Sequence, residues 1–393
     1  MPKKRLWINN VEAVLFIMAI LIIIGTINVF SSSFVMAGNE FDNGYYFVNK
    51  HLISLLIGIF ALVFAMRLDY RVWRKLSFLI TVFAVLCLIA VFFIGIEVNG
   101  SKRWIQIGMT FQPSEVAKLA SLLLIASYLG PKIDKNLRIS IGNKVWLPIL
   151  LMGGLVYKQP DLGTAAIIVG IAFLLYIMAG LPLGEVVVLG AIALGGAGIL
   201  TFSADYRIDR VKAWFDPWSY ESTSGYQTVQ SLIAIGSGGF SGLGLGMGTS
   251  KFAYLPEAHT DFAFSILCQE MGFIGAFLVL ILLAAMAWYC GRIAKETTDG
   301  FGKMLVIGIA ILVVGQGVAN IAMVIGILPV IGVPLPFISY GGTSLIVNML
   351  SMGILASVGK KHCSKVPTRP PKGKMPLPKS QRYIATDAVK RGA

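Results

Sequence analysis

The run AVLFIMAILIIIGTINVFS, Ala13 to Ser31, is nineteen residues long and carries no charge. That length matches the ~20 apolar residues that cross the hydrocarbon core of a bilayer as a helix. Lys3, Lys4 and Arg5 precede it, as in a secretory leader, but the stretch exceeds a leader's apolar core and is read as a retained span. Moving outward, nine further runs resemble it, at 49–66, 76–96, 114–130, 146–158, 161–180, 184–203, 262–289, 304–327 and 337–358. The fifth is short and meets the sixth at Gln159-Pro160-Asp161, a turn that predicts a tight hairpin. The composition agrees: 56% of the 393 residues are hydrophobic, 13% are charged, and a mean hydropathy of +0.78 excludes a soluble enzyme. The expected fold is an all-α polytopic membrane protein of ten transmembrane helices, with a short N-terminus at 1–12, a core at 13–358 and a tail at 359–393.

The net charge of +14 would suggest nucleic acid in a soluble chain, but here the basic residues report topology. With loops assigned alternately, 24 Lys and Arg fall on the side of the two termini and eight on the other, while Lys118 lies inside a span. Both termini are therefore expected in the cytoplasm, and no nucleic-acid partner is expected. The tail mixes ten basic residues with prolines, so disorder near anionic lipid is expected there. Cys87, Cys268, Cys290 and Cys363 have neither disulfide-framework nor zinc spacing.

The distinctive polar segments then face outside. A long segment at 204–261, between the seventh and eighth spans, carries Arg207, Asp209, Arg210, Lys212, Trp214, Asp216 and Trp218 before a glycine-rich run at 236–248. That run matches no nucleotide loop. It either lets the chain pack close to helices or offers backbone N–H groups to a phosphate. LPEAHTDF, Leu255 to Phe262, follows and enters the eighth span. Asp261 or Thr260 is either a helix cap or, for Asp261, a general base at the membrane mouth. Asp261, Ser265, Gln269 and Gly272 share one helical face that reads as a cavity lining, with Glu270 turned away.

In the fourth span, Pro113 sits near the first helical position, and Glu115 and Lys118 are three residues apart. They form either a register-fixing buried pair or a contact for an anionic headgroup. Lys102, Arg103 and Trp104 lie just upstream, where the indole is an interfacial belt residue or a platform for a sugar face. Asp161 is a cap or a binding group. Between Leu328 and Ser344, three prolines and three glycines stop any helix, so this segment should pack against the external loop.

Together these motifs (NGSKRWIQIG with FQPSEVAK, QPDLGTA, the W-x-DP segment before GYQTVQSLIAIGSGG, LPEAHTDF and LPVIGVPLPFISYGGTS) closely resemble the SEDS family of shape, elongation, division and sporulation proteins. LPEAHTDF and GYQ-x-x-QSL look more like the FtsW and SpoVE branch than RodA. Cys268-Gln269-Glu270 departs from a pattern of Gly or Ala before two acidic residues. The resemblance implies a peptidoglycan glycosyltransferase of the cytoplasmic membrane, inverting, that polymerises lipid II at the outer face, serving septal wall synthesis, elongation or sporulation. It places the family's essential aspartate on Asp261, its membrane lysine and acidic neighbour on Lys118 and Glu115, and its aspartate after Gln-Pro on Asp161. Arg103, Lys102, Trp104, Arg210, His259 and Ser339 complete the candidate substrate-binding set. A divalent cation, Mg2+ or Mn2+, is an optional cofactor, and a cognate class B penicillin-binding protein and other divisome membrane proteins are the implied partners. A lipid II flippase and a noncatalytic scaffold are the competing classes. A flippase needs a polar route to both faces, and a scaffold leaves Glu115 and Lys118 without purpose.

Overall fold

The structure, a computed structural model, describes residues 9–98, 100–202, 205–252 and 254–363. Most of the basic tail therefore lies outside the described residues. The chain runs α1 Asn10–Phe41, α2 Tyr46–Arg67, α3 Arg71–Ile94, three short strands, α4 Pro113–Asp134, α5 Trp146–Lys158, α6 Leu162–Met178 and α7 Leu183–Phe202. It continues through α8 Asp205–Phe215, α9 Tyr226–Gly238, α10 Ala263–Glu296, α11 Gly300–Ala310, a π turn at Ile311–Gly315, α12 Gln316–Val324 and α13 Gly342–Cys363. Among the described residues, seven helices are long and apolar enough to cross a membrane, counting Gly300–Val324 as one; Trp146–Lys158, Leu162–Met178 and Leu183–Ala193 are shorter apolar helices.

One expectation is corrected. The chain is not purely helical: β1 Ile96–Val98, β2 Ser101–Ile107 and β3 Met109–Phe111 form an antiparallel sheet in the order β1-β2-β3. Gly100 and Gly108 take φ of +72° and +69° at its turns, where a Cβ would be strained. The sheet carries Arg103 and Trp104 on β2 and hands the chain directly to α4.

The glycine-rich run follows the close-packing reading, and Ser265, Gln269 and Gly272 of the polar stripe pack against α9 and that run. Ser265 and Ser231 share a hydrogen bond of 2.8 Å, and Gln269 Oε1 accepts the Ser250 N–H at 3.1 Å. α10 breaks at Gly272 (φ +63°), ten residues past its N-cap Phe262 and about 15 Å along the helix axis. The backbone groups freed by the break pair with the glycine run: Leu243 and Gly244 N–H donate to Gln269 and Glu270 O, and Phe273 and Ile274 N–H donate to Gly239 and Phe240 O. Backbone meets backbone, since a Cβ on Gly242 would come within 2.2 Å of Glu270 O and one on Gly272 within 2.3 Å of Gly242 N. The run is thus a close-packing device, with two of its N–H groups engaged by helix carbonyls rather than open to a phosphate.

α4 lies at the centre, against α3, α6 and α11, while α13 lies against α2 and α1 against α10. Close van der Waals packing holds this bundle together in lipid, with Leu122, Leu123, Ile125 and Leu129 of α4 fully enclosed.

Candidate active site

α4 starts at Pro113, whose fixed φ and missing N–H suit the first helical turn. One turn in, Lys118 Nζ and Glu115 Oε1 meet at 2.9 Å, both buried. Lys118 Nζ also donates to Gln316 Oε1 at 2.7 Å, and the Gln316 amide donates to Pro334 O at 2.8 Å. Four residues along, the Asn320 amide donates to Val333 O and to Asp261 O, each at 2.7 Å. Gln316 and Asn320 thus tie the buried ion pair, the proline-rich segment and the backbone of Asp261 together. Sequence reasoning missed both, although two amides four apart in an apolar span are a readable signal. Ser114 Oγ and Asn320 Oδ1 are buried here with no hydrogen-bond partner.

Asp261 caps nothing. The N-cap of α10 is Phe262, and no side chain bonds the first turn. Asp261 instead stands beside the proline-rich segment, its Oδ2 3.4 Å from where a Cβ on Gly332 would lie. Burial pushes its carboxyl up to about 7, the Glu257 and Asp161 carboxylates add to the rise, and the Arg103 guanidinium opposes it. The turn before it is tight: Glu257 takes a left-handed φ of +54°, strain of ~1–3 kcal/mol for a non-glycine residue. Glu257 O accepts the N–H groups of Thr260 and Phe262 there, at 3.2 and 3.1 Å.

Asp161 fulfils the capping reading, accepting the Thr164 N–H at 3.0 Å, and its other oxygen lies 3.9 Å from Arg103 Nη1. Arg103 is further fixed by donating to Gln159 O at 3.1 Å and to Pro160 O. Asp261, Asp161 and Arg103 therefore form one electrostatic group, with Lys118 in reach of Asp161. His259 is buried between the rings of Phe47 and Tyr340, at 4.7 and 5.6 Å between centroids, and its carbonyl accepts the Tyr340 N–H at 2.8 Å. Burial lowers its pKa, with Glu257 opposing. Ser339 Oγ accepts the Leu335 N–H at 2.9 Å and shapes the proline-rich turn.

The remaining candidates sit further out. Lys102 is exposed and stands opposite Glu97 in the β1–β2 register. Trp104 is half-buried on the same strand. Arg210 is exposed on α8, beside a cavity that Trp214 and Tyr226 also line. The proline-rich segment does pack on the outer segment: the Tyr340 N–H donates to His259 O at 2.8 Å and Gly332 passes Asp261, while just before the segment Gly326 O and Ile327 O accept the Trp214 indole N–H, both at 3.2 Å. No group of three His, Cys, Asp or Glu side chains that could hold a metal occurs among the described residues.

A half-buried carboxylate that makes no cap thus stands with a fixed guanidinium, which also pairs with a second carboxylate in reach of a buried ammonium. The family model for FtsW, RodA and SpoVE cell cycle proteins matches residues 12–363. Stage V sporulation protein E of Bacillus subtilis (strain 168) is 40% identical over 351 residues, covering 87% of this chain and 94% of that protein. The probable peptidoglycan glycosyltransferase FtsW of Geobacter sp. (strain M18) is 38% identical over 355 residues, covering 88% and 96%. Among solved structures, a chain of a peptidoglycan synthase complex that coordinates polymerization and crosslinking matches with a TM-score of 0.74 at 26% identity, over 89% of this chain and 98% of that one. Rod shape determining protein RodA of Thermus thermophilus matches at 0.64 and 25% identity, over 89% and 96%. The chain belongs to the FtsW/RodA/SpoVE family, and it is an integral protein of the cytoplasmic membrane.

Proposed function

We propose that this chain is a peptidoglycan glycosyltransferase that polymerises lipid II at the outer face of the cytoplasmic membrane. It crosses the membrane ten times with both termini inside, and acts in septal wall synthesis beside a class B penicillin-binding protein. Relatives named for FtsW and SpoVE support the branch. The observation that carries the chemistry is Asp261, a carboxyl that caps no helix and is raised to about 7, where a general base is half ionised and retains full proton affinity.

In this reading Asp261 takes the proton from the 4-hydroxyl of the acceptor GlcNAc as that oxygen attacks the anomeric carbon of MurNAc on the opposite side from the leaving group. The C1–O bond to pyrophosphate breaks, the electron pair leaves with undecaprenyl pyrophosphate, and the configuration inverts. The charge on the leaving oxygens is met by Arg103 and Lys118, held in place before the reaction by Gln159, Asp161, Glu115 and Gln316. Glycan synthesis from lipid II by the purified chain with its transpeptidase partner, resolved on a gel, tests this. Asp261→Asn should fold and make no glycan; polymerisation by that variant sinks the assignment. A wild type that binds lipid II and makes no glycan points instead to the flippase.

A further inference from the structure

The cavity beside α8 is not part of the Asp261 group, and its chemistry differs. It measures about 290 Å³ and is walled by α8, by the start of α9 and by the proline-rich segment. That size lies at the small end of ligand clefts, ~300–1,000 Å³, and suits one or two rings rather than a long chain. Trp214 and Tyr226, both half-buried, line it with aromatic surface, and the Trp214 ring is immobilised because its indole N–H bonds to Gly326 O and Ile327 O. Gln227 contributes a half-buried amide, Ser224 a hydroxyl and Arg210 a cation at the exposed edge. Flat apolar faces set among amides and hydroxyls are what a pyranose needs: its C–H faces stack on rings while its hydroxyls and acetamido group hydrogen-bond. Arg210 matches the carboxylate of a substituent.

The cavity is also coupled to the reaction centre by a short piece of chain. Val330 is in its wall, and two residues on, no more than ~7 Å of backbone, Gly332 passes Asp261. We propose that this cavity is a saccharide subsite that holds an N-acetylated sugar of the growing glycan strand while the bond forms at Asp261. This rests on the polymerase reading above. Retaining the strand between additions makes synthesis processive, so the subsite sets product length.

The test uses the full chain in nanodiscs, with N,N′,N″-triacetylchitotriose as the binding probe followed by saturation-transfer NMR, and lipid II with the transpeptidase partner for product length. The trisaccharide should bind wild type and Asp261→Asn alike. Gln227→Ala and Trp214→Leu should weaken binding about tenfold and shorten the glycans several-fold, and Trp214→Phe, which keeps a ring, should recover part of both. Absence of binding to wild type, or affinity and length unchanged in Gln227→Ala and Trp214→Leu, overturns the subsite. Binding that depends on Gln227, in a wild type that makes no glycan, keeps a saccharide site and overturns the polymerase reading instead.

Discussion

Lys118 and Lys251 are both buried with a carboxylate oxygen at 2.9 Å, yet their ammonium groups are filled differently. Lys251 uses all three donors, on Glu270 Oε1, Ser31 Oγ at 3.0 Å and Gly246 O at 2.8 Å. It fastens the glycine run to α1 and to the break in α10. Lys118 has two partners, Glu115 and Gln316, and keeps one N–H in hand beside the unpartnered Ser114 hydroxyl. A saturated ammonium fastens backbone, whereas an unsaturated one can receive an anion. Lys118 stands out in the sequence as a charge inside a span, whereas Lys251 stands in a polar loop and reaches Glu270 only because that loop folds back against α10.

The largest expected effect separates the two pairs. Replacing a buried ion pair by apolar side chains of similar volume is often neutral for stability. Glu115→Met with Lys118→Met should therefore fold and lose about 100-fold or more of polymerisation, the scale for removing a charge stabiliser. Lys251→Met with Glu270→Met should keep activity within about threefold. Equal losses in the two double variants, measured on lipid II, would erase the distinction.

Next in size is the pH response of the site. With the Asp261 carboxyl raised to about 7, ionised base is ~1% at pH 5 and ~50% at pH 7, so the rate should climb roughly fiftyfold over that interval and level off above it. A profile flat down to pH 5 would remove Asp261 as the base.

Smaller effects fall on stability. Lys251→Met alone strands the Glu270 carboxylate and should cost ~3–5 kcal/mol in thermal or denaturant unfolding, more than the double variant does. Asp261→Asn should act in the opposite sense. A carboxyl whose folded pKa lies above the ordinary 3.8 binds its proton more tightly when folded, so its favourable contribution is complete below 3.8 and is lost as the pH rises to about 7. The Asn variant should match wild type near about pH 4 and exceed it by about 1–4 kcal/mol above about pH 8, at ~1.4 kcal/mol per pKa unit. Lower stability of Asp261→Asn at high pH would show that the carboxylate holds the fold together.

What could be read directly was local. Glu115 and Lys118 meet because residues three apart on a helix face each other, and Pro113 fits the first turn by its own ring geometry. Asp261 stood out as a carboxylate at a span's edge, but whether it capped α10 depended on where the helix began, and it begins one residue later than a cap would need. The sheet at 96–111 had a signal in Asn99-Gly100, a dipeptide suited to a tight hairpin turn, which the surrounding apolar runs overshadowed. Gln269 is explained by its neighbours, since its amide both accepts from the Ser250 N–H and donates to Ser237.

Hydropathy and charge placement along the chain were enough to show that it lives in a membrane and where its apolar runs lie. Periodicity and hydropathy are properties of neighbouring residues and need no partner. Only the tertiary structure decided that Gln316 and Asn320 join the ion pair to Asp261, that the glycine run closes the break in α10, and that Arg210 stands with Trp214 and Tyr226 rather than with Arg103. Those contacts join residues far apart in the chain, and no local pattern reports a hydrogen bond between groups that meet only once the helices have packed.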